Sequence, residues 1–395
     1  MSIHAAAMVH ALGEPDCSRP CAASGVNVPE TSTEGEGRRP ALMQLTGQLP
    51  FGQAWKDAVA RVHPVRGVDA PGHPGSDLAV EPIRLPAGRL TWRVEARLRG
   101  QRLARAVRRA GLRPRLLHSH FYSMSAGVPR AADDLGLPLV VTEHSTWLAG
   151  DHPDPRKRIT GPGRRLARSV YDRAARVVAV SSYLAERIVA LGVPADRVVV
   201  IGNPVDTEWF RPQPRHEGGD TIDIVSTGRL AVEKGLDTLL RALALLPGTL
   251  APRLHLIGDG PSRVDLERLA SDLGVRDVVT FHGRQPAGRV RELLAAADLY
   301  CSPSRIETFG VAVVEALASG LPTVTSDRTA LRELGDAPGL TQTSSEDPRE
   351  LADALLAAIE ERRSHDPWAA WRWVEARFSP RVIATQVASV YDEVS

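Results

Sequence analysis

Two successive rounds of strand and helix alternation, split by a proline- and glycine-rich stretch, predict an α/β protein built from two doubly wound, Rossmann-like units. Short apolar runs bounded by turn residues supply the strands, and amphipathic segments of about ten residues supply the helices between them. The length of 395 residues and a hydrophobic content of 43% allow about two domains, each with an ample core.

The front of the chain is the least regular part. It opens MSIHAAAMVHALGEPDC without a recognisable first strand, Ile3 to Leu12 reads as a helix, and Ser18 to Pro40 is rich in Ser, Thr, Gly, Glu and Pro. Arg89 to Arg115 holds ten arginines against one glutamate, with Leu98, Leu103 and Val107 spaced to face a core. A solvated helix is the plain reading of that run, and a basic amphipathic helix on a lipid surface is the alternative. The strands Arg115 to His118, Leu139 to Thr142, Val177 to Val180 and Val198 to Ile201 follow, with helices at Leu166 to Ala174 and Ser182 to Leu191. A second basic run, Arg156 to Arg176, is placed to orient an anionic acceptor.

Gly202 to Gly219 carries three prolines and four Gly or His residues, which marks a linker. The second unit then reads as strands at Thr221 to Ser226, Arg253 to Ile257, Val278 to His282, Asp298 to Cys301 and Pro322 to Thr325. Its helices are Leu236 to Leu246, Arg263 to Leu273, Arg289 to Ala296 and Phe309 to Ser319, and Pro367 to Ser395 is helical and aromatic. The expected organisation is 1–205, with 1–45 atypical, then 206–371, then a closing helical segment 372–395.

Composition removes several classes of function. A net charge of +2 argues against a dedicated nucleic-acid binder. No run of eighteen apolar residues and no leader pattern occurs, so a cytoplasmic protein without a transmembrane segment is expected. Cys17, Cys21 and Cys301 are not grouped with histidine at metal-ligand spacing, and no D-x-D occurs, so no metal site is expected.

Ser302 to Gly320, SPSRIETFGVAVVEALASG, sets Glu307 and Glu315 eight residues apart around the start of an apolar helix. The first amides of that helix, assigned to Phe309, Gly310 and Val311, lack partners and favour an anion. Two carboxylates beside an anion site should bind hydroxyls, and a phosphate flanked by polyols describes a nucleotide sugar. A second block, STGRLAVEKG from Ser226 to Gly235, places Arg229 and Lys234 around a loop opened by Gly228. Only three lysines stand against 46 arginines, so Lys234 departs from the local habit, and a compact ammonium suits a phosphate oxygen.

These blocks resemble the family-4 retaining glycosyltransferases, whose E-x7-E motif is similar to Glu307 through Glu315 and whose diphosphate-gripping arginine and lysine are similar to Arg229 and Lys234. GNPVDTEWFRP, from Gly202 to Pro212, is similar to the family's interdomain segment. The resemblance covers Leu116 to the C-terminus and implies the GT-B architecture, two Rossmann-like domains facing across a cleft. It also implies a tail that crosses back onto the first domain.

Ligands in open parallel sheets lie beyond the strand carboxyl ends, so residues just after strands are the candidates. Asp259 and Gly260, in the turn Gly258 to Pro261, and Gly283 and Arg284 after the third strand qualify for donor binding, although a plain turn explains the first group equally well. His120, ending LLHSH, is the histidine that the resemblance places against the donor sugar, while His118 belongs to the buried strand, and His144 of TEHST is assigned to the acceptor. The resemblance makes Glu315 the ribose ligand and Glu307 the sugar ligand.

The reading is a retaining, metal-independent glycosyltransferase moving a sugar from a UDP- or GDP-sugar to the hydroxyl of a small metabolite or natural-product acceptor, with no separate cofactor. Alternatives are a nucleotide-sugar-binding partner protein without activity, a transferase acting on a lipid at the membrane surface, and an epimerase of similar fold.

Overall fold

The computed structural model describes residues 42–45, 65–69, 78–79, 91–149, 152–214, 221–343 and 346–395. Ile3 to Leu12 and Ser18 to Pro40, given a helix and a polar segment above, lie outside the described residues.

The first sheet has seven parallel strands: β1 (Leu42–Leu45), β2 (Val65–Asp69), β3 (Leu78–Ala79), β4 (Leu116–His120), β5 (Leu139–Glu143), β6 (Arg176–Ala179) and β7 (Val198–Val200). Their order is β3-β2-β1-β4-β5-β6-β7. The first strand is therefore present, and β1 lies between β2 and β4, with Leu42 opposite Val65 on one side and Leu116 on the other. Four residues, LMQL, between Pro40 and Gly47 are too few for a periodic signal, which is why the sequence did not show it. Strands β4 and β5 are buried along their whole length. Near-continuous burial is what a central parallel strand requires.

Helix α1 (Thr91–Arg109) packs on α2 (Val128–Leu135) at a close crossing, where a Cβ on Gly100 would stand 2.5 Å from the Gly127 carbonyl oxygen. Leu103, Ala104 and Val107 form the buried stripe, whereas Leu98, expected to face the core, is 37% exposed. The helix turns its glycine to the contact, and this rotates Leu98 outward. Helices α3 (Gly161–Tyr171) and α4 (Ser182–Ala190) complete the first layer, each started by a hydroxyl cap: Thr160 accepts from the Gly163 amide and Ser181 from the Leu184 amide.

The second sheet contains β8 (Ile222–Thr227), β9 (Pro252–Ile257), β10 (Val279–Gly283), β11 (Leu299–Ser302), β12 (Thr323–Ser326) and β13 (Leu340–Thr343), again all parallel, in the order β10-β9-β8-β11-β12-β13. Helices α5 (Leu236–Leu243), α6 (Arg263–Asp272), α7 (Ala287–Ala296), α8 (Val311–Ala318) and α9 (Pro348–Glu361) accompany it. In both sheets the chain winds outward from a central strand and then resumes on that strand's other side. The switch points are β1/β4 and β8/β11, where a crevice opens beyond the carboxyl ends.

The tail is two helices, α10 (Pro367–Phe378) and α11 (Pro380–Val394), broken at Ser379-Pro380. Ile383, Val387, Val390 and Tyr391 of α11 join the buried cluster that contains Leu117, Val141 and Val178 of the first sheet. Glu393 pairs with Arg176 on β6 at 3.2 Å. Between the sheets, Gly202 is held against the rings of Phe309 and Phe378, which meet edge to face at 5.1 Å and 85°. The Val205 amide donates to the Phe378 carbonyl at 2.8 Å.

Candidate functional site

The β8/β11 switch point collects most of the donor candidates. Strand β8 ends at Thr227, and Gly228 leaves it at φ 142°, a conformation reserved for glycine. Arg229 is exposed there, while Leu230 turns inward. A cavity at this point is lined by Ser226, Thr227, Gly228, Arg229, Lys234 and Ser304, among others.

A Cβ on Gly258 would lie 1.8 Å from the Gly228 carbonyl oxygen, and one on Gly260 would lie 2.3 Å from that of Leu230. The glycines of the GDGP turn thus bring two loops into backbone contact. The Asp259 carbonyl accepts from the Leu230 amide at 3.1 Å, and its carboxylate accepts from the Gly260 amide at 2.7 Å. Gly283 stands at φ 68° with its carbonyl accepting from Gly258 at 2.8 Å, and Arg284 is exposed beside it. Asp259, Gly260 and Gly283 therefore shape the rim that supports the Arg229 loop.

Lys234 closes a 3₁₀ turn over Val232–Lys234, with Gly235 left-handed at φ 64° because any Cβ would meet the Pro303 carbonyl oxygen at 2.1 Å. From that turn the Lys234 ammonium reaches the Glu307 carboxylate. The same carboxylate oxygen accepts from Ser304 Oγ at 3.1 Å, and Ser304 in turn meets Ser302 Oγ at 3.1 Å. The Glu307 amide donates to Thr329 Oγ1 at 3.0 Å. Lys234 and Glu307, 73 residues apart in sequence, are thus brought into one pair.

Helix α8 starts at Val311 rather than at Phe309, which corrects the expected boundary. Gly310 is its cap residue at φ 89°, ψ 47°, with no side-chain cap. Leu331 stands 2.5 Å from where a Cβ of Gly310 would be, so the sharp entry to the helix belongs to glycine. The Val313 and Val314 amides bond the Gly310 carbonyl, so the first-turn amides of Val311 and Ala312 take the place assigned to Phe309 and Gly310. The Phe309 side chain packs between the domains instead. Glu315, one turn further along α8, is pushed up to about 7 by burial.

Across the cleft, His120 Nδ1 and His144 Nε2 are 3.0 Å apart, with stacked rings. Burial first, then the neighbouring imidazoles, lowers the pKa of His120, and burial lowers that of His144 to about 3. Both rings are therefore neutral near neutral pH, and one donates to the other. The Asn203 side chain holds the His144 ring, and the His144 carbonyl accepts from Thr308 Oγ1 at 2.9 Å, one residue from Glu307. His118 instead bonds Tyr391 on α11 and Thr142 on β5, which makes it part of the core.

Sequence reasoning missed Glu143. It is fully buried and accepts from the Tyr122, His144 and Ser145 amides at 2.9, 3.0 and 2.7 Å and from the Tyr171 hydroxyl at 2.7 Å. Burial raises its pKa and the four donors oppose that rise. It fixes the turn after β5 that carries His144 and the turn after β4, where Phe121 is held at φ 61°. A carboxylate closing an otherwise apolar strand was the available signal. Ser302, which ends β11, and Ser304 and Thr308 in the turn after it were also missed, since sequence alone reads the stretch only as polar.

Among the described residues, no helix is long and apolar enough to cross a membrane, and no group of three His, Cys, Asp or Glu is placed to hold a metal ion.

Residues 207–370 match the family described as glycosyl transferases group 1, and residues 56–209 match glycosyltransferase family 4. A D-inositol 3-phosphate glycosyltransferase of Thermomonospora curvata is 32% identical over 290 residues, 65% of each chain. Another, of Nocardia farcinica, is 33% identical over 277 residues, 62% of this chain and 59% of the relative. The chain spans between 50% and 65% of the length of such curated relatives. In structure it is similar to Anabaena HepE in complex with UDP and glucose, with a TM-score of 0.72 and 20% identity over 90% of this chain and 100% of the other. It is also similar to sucrose-phosphate synthase of Thermosynechococcus elongatus, with a TM-score of 0.71 and 19% identity over 90% and 99% of the two chains. Two glycosyltransferase family models thus match adjoining stretches that together run from 56 to 370, and with two parallel sheets whose switch points share one cleft the chain has the GT-B fold.

Proposed function

We propose that the protein is a retaining glycosyltransferase that needs no metal ion and moves a sugar from a nucleoside diphosphate-sugar to a hydroxyl of a small acceptor. The observation that carries this reading is the group of Arg229, Lys234 and the first amides of α8 at one switch point, with Glu307 and Glu315 beside them. Cations and oriented amides there stabilise charge where it accumulates as a diphosphate departs. The bond from the anomeric carbon to the phosphate oxygen breaks with its electrons going to the diphosphate. The acceptor oxygen bonds the same face of that carbon, and its proton passes to the departing phosphate oxygen.

Lys234 is paired with Glu307 in the free protein, so donor entry exchanges that partner for phosphate and releases Glu307 for sugar hydroxyls. Glu315 accepts from the ribose hydroxyls, and the neutral His120 and His144 pair faces the sugar and acceptor from the first domain. The inositol phosphate named for the relatives makes a phosphorylated cyclitol the first acceptor to try, and the UDP bound to HepE makes uridine the first base. The cytoplasm is the compartment we propose for the reaction.

Calorimetric titration with UDP and GDP in chelator tests the donor site. One nucleotide should bind, and Lys234→Ala or Glu315→Ala should weaken it about 10- to 100-fold, the range for loss of a hydrogen bond to a charged group. Binding retained in both variants would remove the site assignment. The anomeric configuration of the product, read by NMR, tests retention.

A further inference from the structure

Lys157 and Glu233 form a charge pair between the two domains. Lys157 closes a 3₁₀ turn, Pro155–Lys157, between β5 and α3 of the first domain, and its ammonium reaches across the cleft to the carboxylate of Glu233. Both side chains are sheltered, at 16% and 10% exposure, so solvent screens the pair little. Burial alone would raise the Glu233 carboxyl, but Lys157 and its other partners hold it below its ordinary range.

Glu233 is also tied on its other side. Its carbonyl accepts from the Arg305 amide at 2.8 Å and the Ile306 amide at 3.4 Å, the two residues that lead into Glu307. The Arg305 guanidinium holds the neighbouring Val232 carbonyl at 2.7 Å. The next residue after Glu233 is Lys234, whose ammonium meets Glu307. One residue thus joins the first domain, the Lys234 turn and the Glu307 loop. Gly235, which cannot carry a side chain against Pro303, makes the far end of that turn rigid as well.

We propose that Lys157 and Glu233 are positioning residues that transmit the approach of the first domain to Lys234 and Glu307, so that donor affinity depends on a lysine lying in the opposite domain. This rests on the reading of the cleft as a nucleoside diphosphate-sugar site. Lys157 is not among the residues that line the cavity at the β8/β11 switch point. Its pull on Glu233 fixes where the Lys234 turn sits relative to the Glu307 loop when the two domains are in contact.

The test is calorimetric titration of the full chain with UDP and GDP, alongside thermal midpoints measured without nucleotide. Lys157→Met and Glu233→Gln should each weaken nucleotide binding about tenfold. The double variant should be no weaker than either single one, and the swap Lys157→Glu with Glu233→Lys should recover both binding and the thermal midpoint that each single variant lowers by leaving a sheltered charge unpaired. Unchanged affinity in Lys157→Met, or single effects that multiply in the double variant, overturns the proposal alone. If the parent protein binds neither nucleotide, the reading of the cleft fails and the proposal falls with it.

Discussion

Replacing Glu315 by glutamine should stabilise the free protein at alkaline pH and change it little in mild acid. Burial raises this carboxyl from its ordinary 4.5 to about 7 in the folded chain. Below the lower value both states hold the proton, and the residue costs nothing. Between the two values the unfolded chain releases its proton while the folded chain keeps it, so stability falls as pH rises. Above about 7 the whole cost is present. At about 1.4 kcal/mol for each pKa unit, the gap amounts to about 3 kcal/mol at pH ~8 and less than about 1 kcal/mol at pH ~5. Glutamine keeps the shape and carries no charge, so urea denaturation of the two proteins at those pH values should show the variant more stable by those amounts. All other titrating groups are shared and cancel in the difference. A stability difference that is equal at both pH values would refute the burial argument. The same glutamine should weaken nucleotide binding, so stability and affinity should move in opposite directions, as they do where a site is built at the expense of the fold.

Three further outcomes are expected. Gly258→Ala should cost about 3 kcal/mol or more, because its Cβ would lie 1.8 Å from the Gly228 carbonyl oxygen at φ 137°, whereas Gly274→Ala, at φ 70° with nothing within 4 Å, should cost only about 1–2 kcal/mol by urea denaturation. Glu143→Ala leaves the buried Tyr122 and His144 amides, the part-buried Ser145 amide and the Tyr171 hydroxyl without their acceptor, so thermal denaturation should show a loss of at least about 3 kcal/mol. Phe309→Ala should cost about 3–5 kcal/mol, and its fluorescence and circular dichroism transitions should separate as the packing against Phe378 between the domains is lost.

The sequence showed the central strands well because β4, β5, β9 and β11 are short apolar runs with turns on both sides, a pattern that parallel burial imposes directly. Strand β1 escaped notice because four residues give no period, although its place between β2 and β4 organises the whole first sheet. The pairing of Lys234 with Glu307 was not legible, since spacing along the chain says nothing of two loops separated by 73 residues that a sheet switch point brings together. The start of α8 was misplaced by two residues because Phe309 continues the apolar pattern, while its ring in fact serves the domain contact and Gly310 makes the turn. Glu143 was read as part of a motif containing a histidine, and its role emerged only from the four donors that surround it.

The last helix has a bearing on how the protein is made. Tyr391 bonds His118, and Ile383, Val387 and Val390 belong to the same buried cluster as Leu117 and Val141, so the core of the first sheet is completed by a helix that follows the whole second domain in sequence. A chain cut before Pro380 holds every described strand of both sheets, yet it leaves His118 without the Tyr391 hydroxyl and the shared core without Ile383, Val387 and Val390. The second domain needs no such completion for its own cluster around Leu239, Leu254 and Leu299, so it can settle first although it emerges later. Until the fifteen residues of α11 are in place, the first domain exposes apolar surface of the kind that favours aggregation.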